Sequence, residues 1–186
     1  VRVVGGEFKG RKLQTTEGPG YRPATHKVRE AVFSMLQARG VLWDEARVVD
    51  MFAGSGSLGI ECLSRGASFA LFVEKSKKAA ALIRGNLKEL GIAPGRWNVQ
   101  PRDLFTVLNK IPEKPFDLAF IDPPYGKGLL IPALETALEN NWFAKDAFIL
   151  AEVESAVHPP EQGLLADLEL ITDREYGQTR ILLWRR

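Results

Sequence analysis

Apolar residues recur along this chain with two periods. Val28, Val32, Met35 and Leu36 are spaced as one face of a helix, while Lys27, Arg29 and Glu30 fall elsewhere. From position 46 onward, short apolar runs alternate with longer helical stretches. A run that is apolar at nearly every position reads as a strand buried on both faces, because helices above and below remove the in-out alternation. The pattern predicts strands over 47–52, 67–73, 97–100, 116–121 and 147–153, with helices over 58–65, 76–90, 103–108 and 129–140 between them. Ser76 stands where the second of these helices needs a cap. Two last strands, 168–176 and 179–185, meet at a tight turn at Gly177-Gln178. The expected fold is α/β: a doubly wound, mostly parallel seven-stranded sheet whose closing hairpin makes the last strand antiparallel.

Ahead of the sheet, Val1, Val3, Phe8 and Leu13 alternate loosely, with Gly5-Gly6 and Gly10 as punctuation. This reads as a short β-hairpin with basic side chains outward, ended by Gly18-Pro19-Gly20. A helix is expected to start at Thr25, whose hydroxyl can cap free N–H groups, and to stop at Gly40. The division is therefore 1–24 as a basic hairpin extension and 25–186 as the main domain.

Chemistry concentrates where the strands end. The 116–121 strand runs into Asp122-Pro123-Pro124-Tyr125-Gly126. Open α/β sheets bind ligands outside the carboxyl ends of their strands, so Asp122 stands at a ligand edge. Pro123 and Pro124 stiffen the loop and leave its carbonyls free as acceptors. A carboxylate and a rigid carbonyl beside an aromatic ring suit a planar substrate carrying an amino group. Each can accept one N–H of an exocyclic amine, freeing its lone pair, and Tyr125 can stack on the ring. An ordinary Asp-Pro turn is the alternative.

The segment Asp50-Met51-Phe52-Ala53-Gly54-Ser55-Gly56-Ser57-Leu58-Gly59 follows a strand and opens a helix, as a nucleotide-type glycine loop does. It lacks the Gly-Lys-Ser/Thr ending of a phosphate cradle. Asp50 just before it is a poor neighbour for a pyrophosphate and a good one for an ammonium. Glu74 ends the next strand, 24 residues on, about where an acid grips a ribose diol. Asp103 ends the third and can accept from an adenine amino group. One such feature per strand end describes an adenosine with a cationic amino-acid arm, which is S-adenosylmethionine.

Composition narrows the class. At 186 residues the chain fits one domain, and no segment approaches a membrane span or a signal peptide, so a cytoplasmic protein without a membrane partner is expected. Cys62 is the single cysteine, and His26 and His158 lie far apart, so no metal site is expected. Residues 1–40 carry eight Lys/Arg against three Glu, whereas the remainder carries 17 against 20 acids. A basic front on a near-neutral body is either a polyanion-facing patch or a solvated surface. No segment offers a dimer seam, and a monomer is expected.

These residues carry a resemblance. Asp50 to Gly59 resembles the first motif of class I S-adenosylmethionine-dependent methyltransferases, and Asp122-Pro123-Pro124-Tyr125 resembles the fourth motif of their amino-methylating branch. The opening, with Arg2-Val3-Val4-Gly5-Gly6, Gly10-Arg11-Lys12-Leu13, Arg22-Pro23-Ala24-Thr25 and Val28-Arg29-Glu30, is similar to the bacterial small-subunit ribosomal RNA guanine-N2 methyltransferase family. The likeness covers nearly the whole chain. It implies a Rossmann-like domain that methylates a guanine in a 16S rRNA hairpin loop facing the P-site transfer RNA, on assembled or partly assembled 30S subunits. It further implies that Phe52, Ala53, Gly54, Ser55 and Gly56 hold the methionine arm of the cofactor, with Asp50 and Thr25 near its amino-acid end. Glu74, beside Lys75, would take the ribose hydroxyls, and Asp103 with Leu104 would flank the adenine. Asp122, Pro123, Pro124 and Tyr125 would hold the guanine. Arg2, Lys9, Arg11, Lys12 and Arg22 would meet RNA, although Arg22 and Arg29 serve equally well as braces of the core. Adenine-N6 methylation of DNA or RNA, and a non-catalytic RNA-binding assembly factor, are the competing functions.

Overall fold

The sheet is built from β1 (Arg47–Met51), β2 (Phe69–Val73), β3 (Trp97–Gln100), β4 (Phe116–Ile121), β5 (Phe143–Glu154), β6 (Glu169–Tyr176) and β7 (Thr179–Arg185). The computed structural model describes residues 1–15, 26–160 and 165–186. The expected break at Gly18-Pro19-Gly20, the helix start at Thr25 and the candidate contact Arg22 lie outside those residues. Strand order is β3-β2-β1-β4-β5-β7-β6. Every pairing from β3 to β5 is parallel, and β7 enters antiparallel between β5 and β6. From β1 the chain winds outward through β2 to β3, then returns to β4 and winds the other way. That reversal, between the carboxyl ends of β1 and β4, is where open α/β sheets place a ligand crevice.

Strand parity sorts the core into two layers. Val48, Phe72, Leu118, Phe120 and Leu150 face α1 (His26–Ala38), α2 (Ser57–Ser64) and α3 (Lys77–Glu89). Val49, Met51, Ala119, Ile121 and Ile149 face α4 (Leu104–Leu108) and α5 (Leu130–Glu139). The central strands are apolar at most positions because both faces are covered. Two departures from the expected pattern have local causes. β5 begins at Phe143 rather than 147, since Phe143 pairs with Phe116 before a bulge and Asp146 takes a left-handed φ of 64°. That conformation breaks the alternation a strand shows in sequence. Arg29 lies inside, only 3% exposed, although its helical spacing set it off the apolar stripe.

The N-terminal hairpin is minimal, a single antiparallel bridge between Arg2 and Lys12. What holds residues 1–15 is α2. The Glu61 carboxylate, fully buried, accepts from the N–H groups of Val4 and Gly5, each at 2.7 Å. Ser64 Oγ donates to the Gly5 carbonyl and accepts from the Phe8 N–H. Gly6 turns with φ 74°, and a Cβ there would lie 2.0 Å from the Ser64 carbonyl oxygen. Val3 and Leu13 join the core beneath this contact. All eight residues of α2 are buried in consequence.

Candidate active site

Four carboxylates mark the carboxyl ends of four adjacent strands: Glu74 after β2, Asp50 within β1, Asp122 after β4 and Glu152 near the end of β5. Asp50 is 2% exposed, and its Oδ2 accepts from the Gly59 N–H at 3.0 Å. It satisfies the third N–H of α2 from the neighbouring strand, where the preceding Gly56 brings no side chain to do so. Burial pushes the Asp50 carboxyl up to about 7; the Gly59 bond opposes this and the charge of Glu74 adds to it. Glu74 accepts from the Gly54 N–H at 2.9 Å and from the Ser76 N–H at 2.7 Å, so it ties the glycine loop to the start of α3. Each oxygen retains a further acceptor lone pair.

The loop between β1 and α2 needs its glycines. Phe52, Gly54 and Gly56 have φ of 60°, 54° and 71°, and only glycine adopts such angles without strain. At Gly59 a Cβ would lie 2.4 Å from the Phe72 ring, so this glycine lets α2 rest directly on β2. Ala53, Ser55 and Gly56 are buried, and Lys75 is exposed. Asp103 caps α4 by accepting from the Phe105 and Thr106 N–H groups through Oδ1, and Leu104 behind it is buried.

Asp122 follows Ile121, which is in register with Met51, and its N–H lies 3.5 Å from the Met51 carbonyl. The two sequence motifs thus meet across adjacent strands. Pro123 is buried, Pro124 exposed, and the Tyr125 hydroxyl lies 3.3 Å from Thr179 Oγ1 at the start of β7. A cavity of about 230 Å³ opens beside this loop, lined by Pro123, Pro124, Tyr125, Leu130, Val153 and Val157. Burial, then the charge of Glu152, then that of Asp50, hold the Asp122 carboxyl well above the usual carboxylate range. Burial also raises the Tyr125 phenol, against the Thr179 bond and with help from Glu152, Asp122 and Glu154.

One residue of the site, Glu152, escaped the sequence reading, and a second, Arg29, is expected from it only as a brace of the core or an RNA contact. Glu152 is 5% exposed, and burial pushes it up to about 7 against the pull of the Arg29 guanidinium. Its signal was present: the acid at the carboxyl end of an apolar run, as with Asp50 and Asp122. Arg29 donates to the Arg2 carbonyl at 3.0 Å. Its position was legible only in three dimensions, since it lies one helical turn before Phe33, whose ring meets that of Phe120 at 5.9 Å, two residues before Asp122.

Of the expected RNA contacts, Arg2, Lys9, Arg11 and Lys12 are exposed on the N-terminal segment; Arg22, like Thr25, lies outside the described residues. A larger cavity, about 430 Å³, lies on the α4 side and includes Arg47, Phe69, Arg102, Lys110 and Phe116. It shares no residue with the carboxylate row. Among the described residues no three His, Cys, Asp or Glu side chains converge as a metal site requires.

The family model described as Conserved hypothetical protein 95 matches residues 1–185. A ribosomal RNA small subunit methyltransferase D of Escherichia coli K12 is 34% identical over 186 residues, spanning all of this chain and 90% of its own. The protein of the same name from Buchnera aphidicola of Acyrthosiphon pisum is 37% identical, over 83% of this chain and 78% of its own. Among solved structures, yhhF of Escherichia coli superposes with a TM-score of 0.84 at 32% identity, covering all of this chain and 97% of that one.

Proposed function

Since the chain belongs to the ribosomal RNA small subunit methyltransferase D family, we propose that it methylates the 2-amino group of a guanine in 16S ribosomal RNA. The substrate is the assembled or assembling 30S subunit, on which the protein works as a monomer. The carrying observation is the meeting of Asp122-Pro123-Pro124-Tyr125 with the glycine loop at the reversal of strand order.

The residues present fit S-adenosylmethionine. The Asp50 carboxyl, pushed up to about 7 by burial with the charge of Glu74 adding to it, makes a site that a cation relieves. The loop from Phe52 to Gly56 would hold the methionine arm over Asp50, with Thr25 near its amino-acid end. Glu74, with Lys75 beside it, would take the ribose, and Asp103 with Leu104 the adenine. When bound, the cofactor supplies a methyl group whose carbon–sulfur bond breaks as the new carbon–nitrogen bond forms.

The chain's own part is to present the amine. A guanine extruded from its loop stacks on Tyr125, at low cost because the base is already unpaired. Asp122 and the Pro123 carbonyl each accept one N–H of the 2-amino group, which turns the nitrogen lone pair outward. Positive charge grows on that nitrogen as it gains the methyl carbon, and the fixed Asp122 carboxylate stabilises it. Asp122 then takes the proton the nitrogen sheds, a transfer favoured by its raised pKa. Arg2, Lys9, Arg11, Lys12 and Arg22 contribute phosphate contacts that position the RNA without reading sequence.

The test is tritiated methyl transfer to small-subunit particles, free ribosomal RNA and DNA, followed by nucleoside analysis. Labelled N2-methylguanosine from the particles is the expected product. N6-methyladenosine would move the assignment to the adenine reading, and no label in any substrate would leave an RNA-binding assembly factor.

A further inference from the structure

Glu152 is the one carboxylate of the row to which neither the cofactor nor the amine gives a task. Its surroundings are specific. Ile121 and Ala151 are register partners in parallel strands, so the residues that follow them, Asp122 just past β4 and Glu152 still within β5, lie side by side. Both continue the face that carries Phe120 and Leu150, toward α1. Adjacent strands lie ~4.8 Å apart, a spacing that sets two carboxylates against neighbouring groups on one edge of a ring. Glu152 is only 5% exposed, and Asp122 is half-buried beside it. A carboxylate so far withdrawn from water is stabilised by a donor that approaches it. The positive charge of Arg29 acts on Glu152 against the effect of burial.

The Watson–Crick edge of guanine carries two adjacent donors, the ring N1–H and the 2-amino group. We propose that Glu152 is the specificity residue of this site, accepting the N1–H of the guanine whose 2-amino group Asp122 holds. The inference rests on the guanine-N2 reading above and extends it to how the base is chosen. Adenine offers an unprotonated N1 at the matching place, and its lone pair would face a carboxylate. Tyr125, within electrostatic reach of both acids, stacks on the ring they hold.

The discriminating substrate is 2-aminopurine, which keeps the 2-amino group and has a lone pair at N1. The modified guanine is first mapped with the unaltered protein, and ribosomal RNA carrying 2-aminopurine at that position is assembled into particles. Unaltered protein should prefer guanine by at least about a hundredfold in kcat/KM, because a site built to bond a donor rejects the analogue lacking it. Glu152→Gln should shrink that preference at least about tenfold, since an amide can turn its N–H to N1 of 2-aminopurine. 2-Aminopurine also brightens on leaving the base stack, so its entry is read by fluorescence without turnover and should rise in Glu152→Gln. An equal fall for both bases, with the preference intact, overturns the inference and leaves the reaction assignment standing. Absence of N2-methylguanosine with unaltered protein overturns the assignment itself, and the inference with it. Glu152→Asp, which keeps the acceptor, should keep the guanine preference at a lower rate. Loss of the preference there with its retention in Glu152→Gln would equally overturn the proposal.

Discussion

The energetics of the site are set by single carboxyl groups held out of water. Asp50 and Glu152 both have their pKa raised to about 7 by burial, with Glu74 and the Gly59 N–H acting on the first and Arg29 on the second. An acid whose folded pKa exceeds its unfolded value binds more protons when folded. Its contribution to stability is full below the unfolded pKa, near 4, and is lost as pH climbs to 7. Thermal midpoints of the ligand-free protein should therefore fall between pH 5 and pH 8. Glu152→Gln should flatten that fall and stabilise the protein at pH 8 by on the order of 1–3 kcal/mol; a midpoint that rises over this range would contradict the burial argument. The role proposed for Asp122 is different, acting on the reacting amine. Asp122→Ala should lower kcat by about 10²–10³-fold or more while cofactor affinity by calorimetry stays nearly unchanged. Equal loss of both would show that Asp122 serves the cofactor instead.

At the scale of elements, α2 is the joint between the N-terminal segment and the sheet. Its buried Glu61 holds the Val4 and Gly5 N–H groups and pairs with Arg65 at 3.0 Å, and the Arg65 guanidinium lies 4.8 Å from the centre of the Phe33 ring. Removing one partner of a buried charged pair leaves the other uncompensated. Glu61→Ala should cost about 3–5 kcal/mol in urea denaturation, and residues 1–15 should become sensitive to protease under native conditions. On the opposite side of α2, Gly59→Ala would press a methyl group into the Phe72 ring. A loss of about 1–3 kcal/mol is expected there, with the glycine loop displaced and cofactor affinity reduced.

The whole molecule presents a basic segment on the α1–α3 side of a nearly neutral body. Truncating that segment would not test its role, because Val3 and Leu13 are core residues. Neutralising the exposed charges would. Lys9→Gln, Arg11→Gln and Lys12→Gln together should leave the thermal midpoint nearly unchanged and weaken binding to small-subunit particles. The slope of log affinity against log salt should become shallower by about 0.7–0.9 for each phosphate that is no longer neutralised. An unchanged slope would place the RNA contacts elsewhere on the surface.

The order of elements, the parallel sheet and the two motifs were legible in sequence because each is written in neighbouring residues. Period of apolar positions names an element, and a glycine or proline run names a loop; β3 and β7 were expected with the bounds they have. Ser76 as the α3 cap was equally local, since its side chain accepts from the Ala79 N–H. Other features depend on approach between distant segments. Gly5-Gly6 read as hairpin punctuation, yet these glycines exist to let backbone rest on Ser64 and Glu61 of α2. The left turn at Asp146 hid the first part of β5. Glu152 and Arg29 gained meaning only when register set Glu152 beside Asp122 and α1 brought Arg29 within electrostatic reach of Glu152. Sequence determines which groups each strand end carries. Tertiary structure alone decides which end up side by side and withdrawn from water, and proximity in a low-dielectric interior is what sets Asp50, Asp122 and Glu152 apart from ordinary acids.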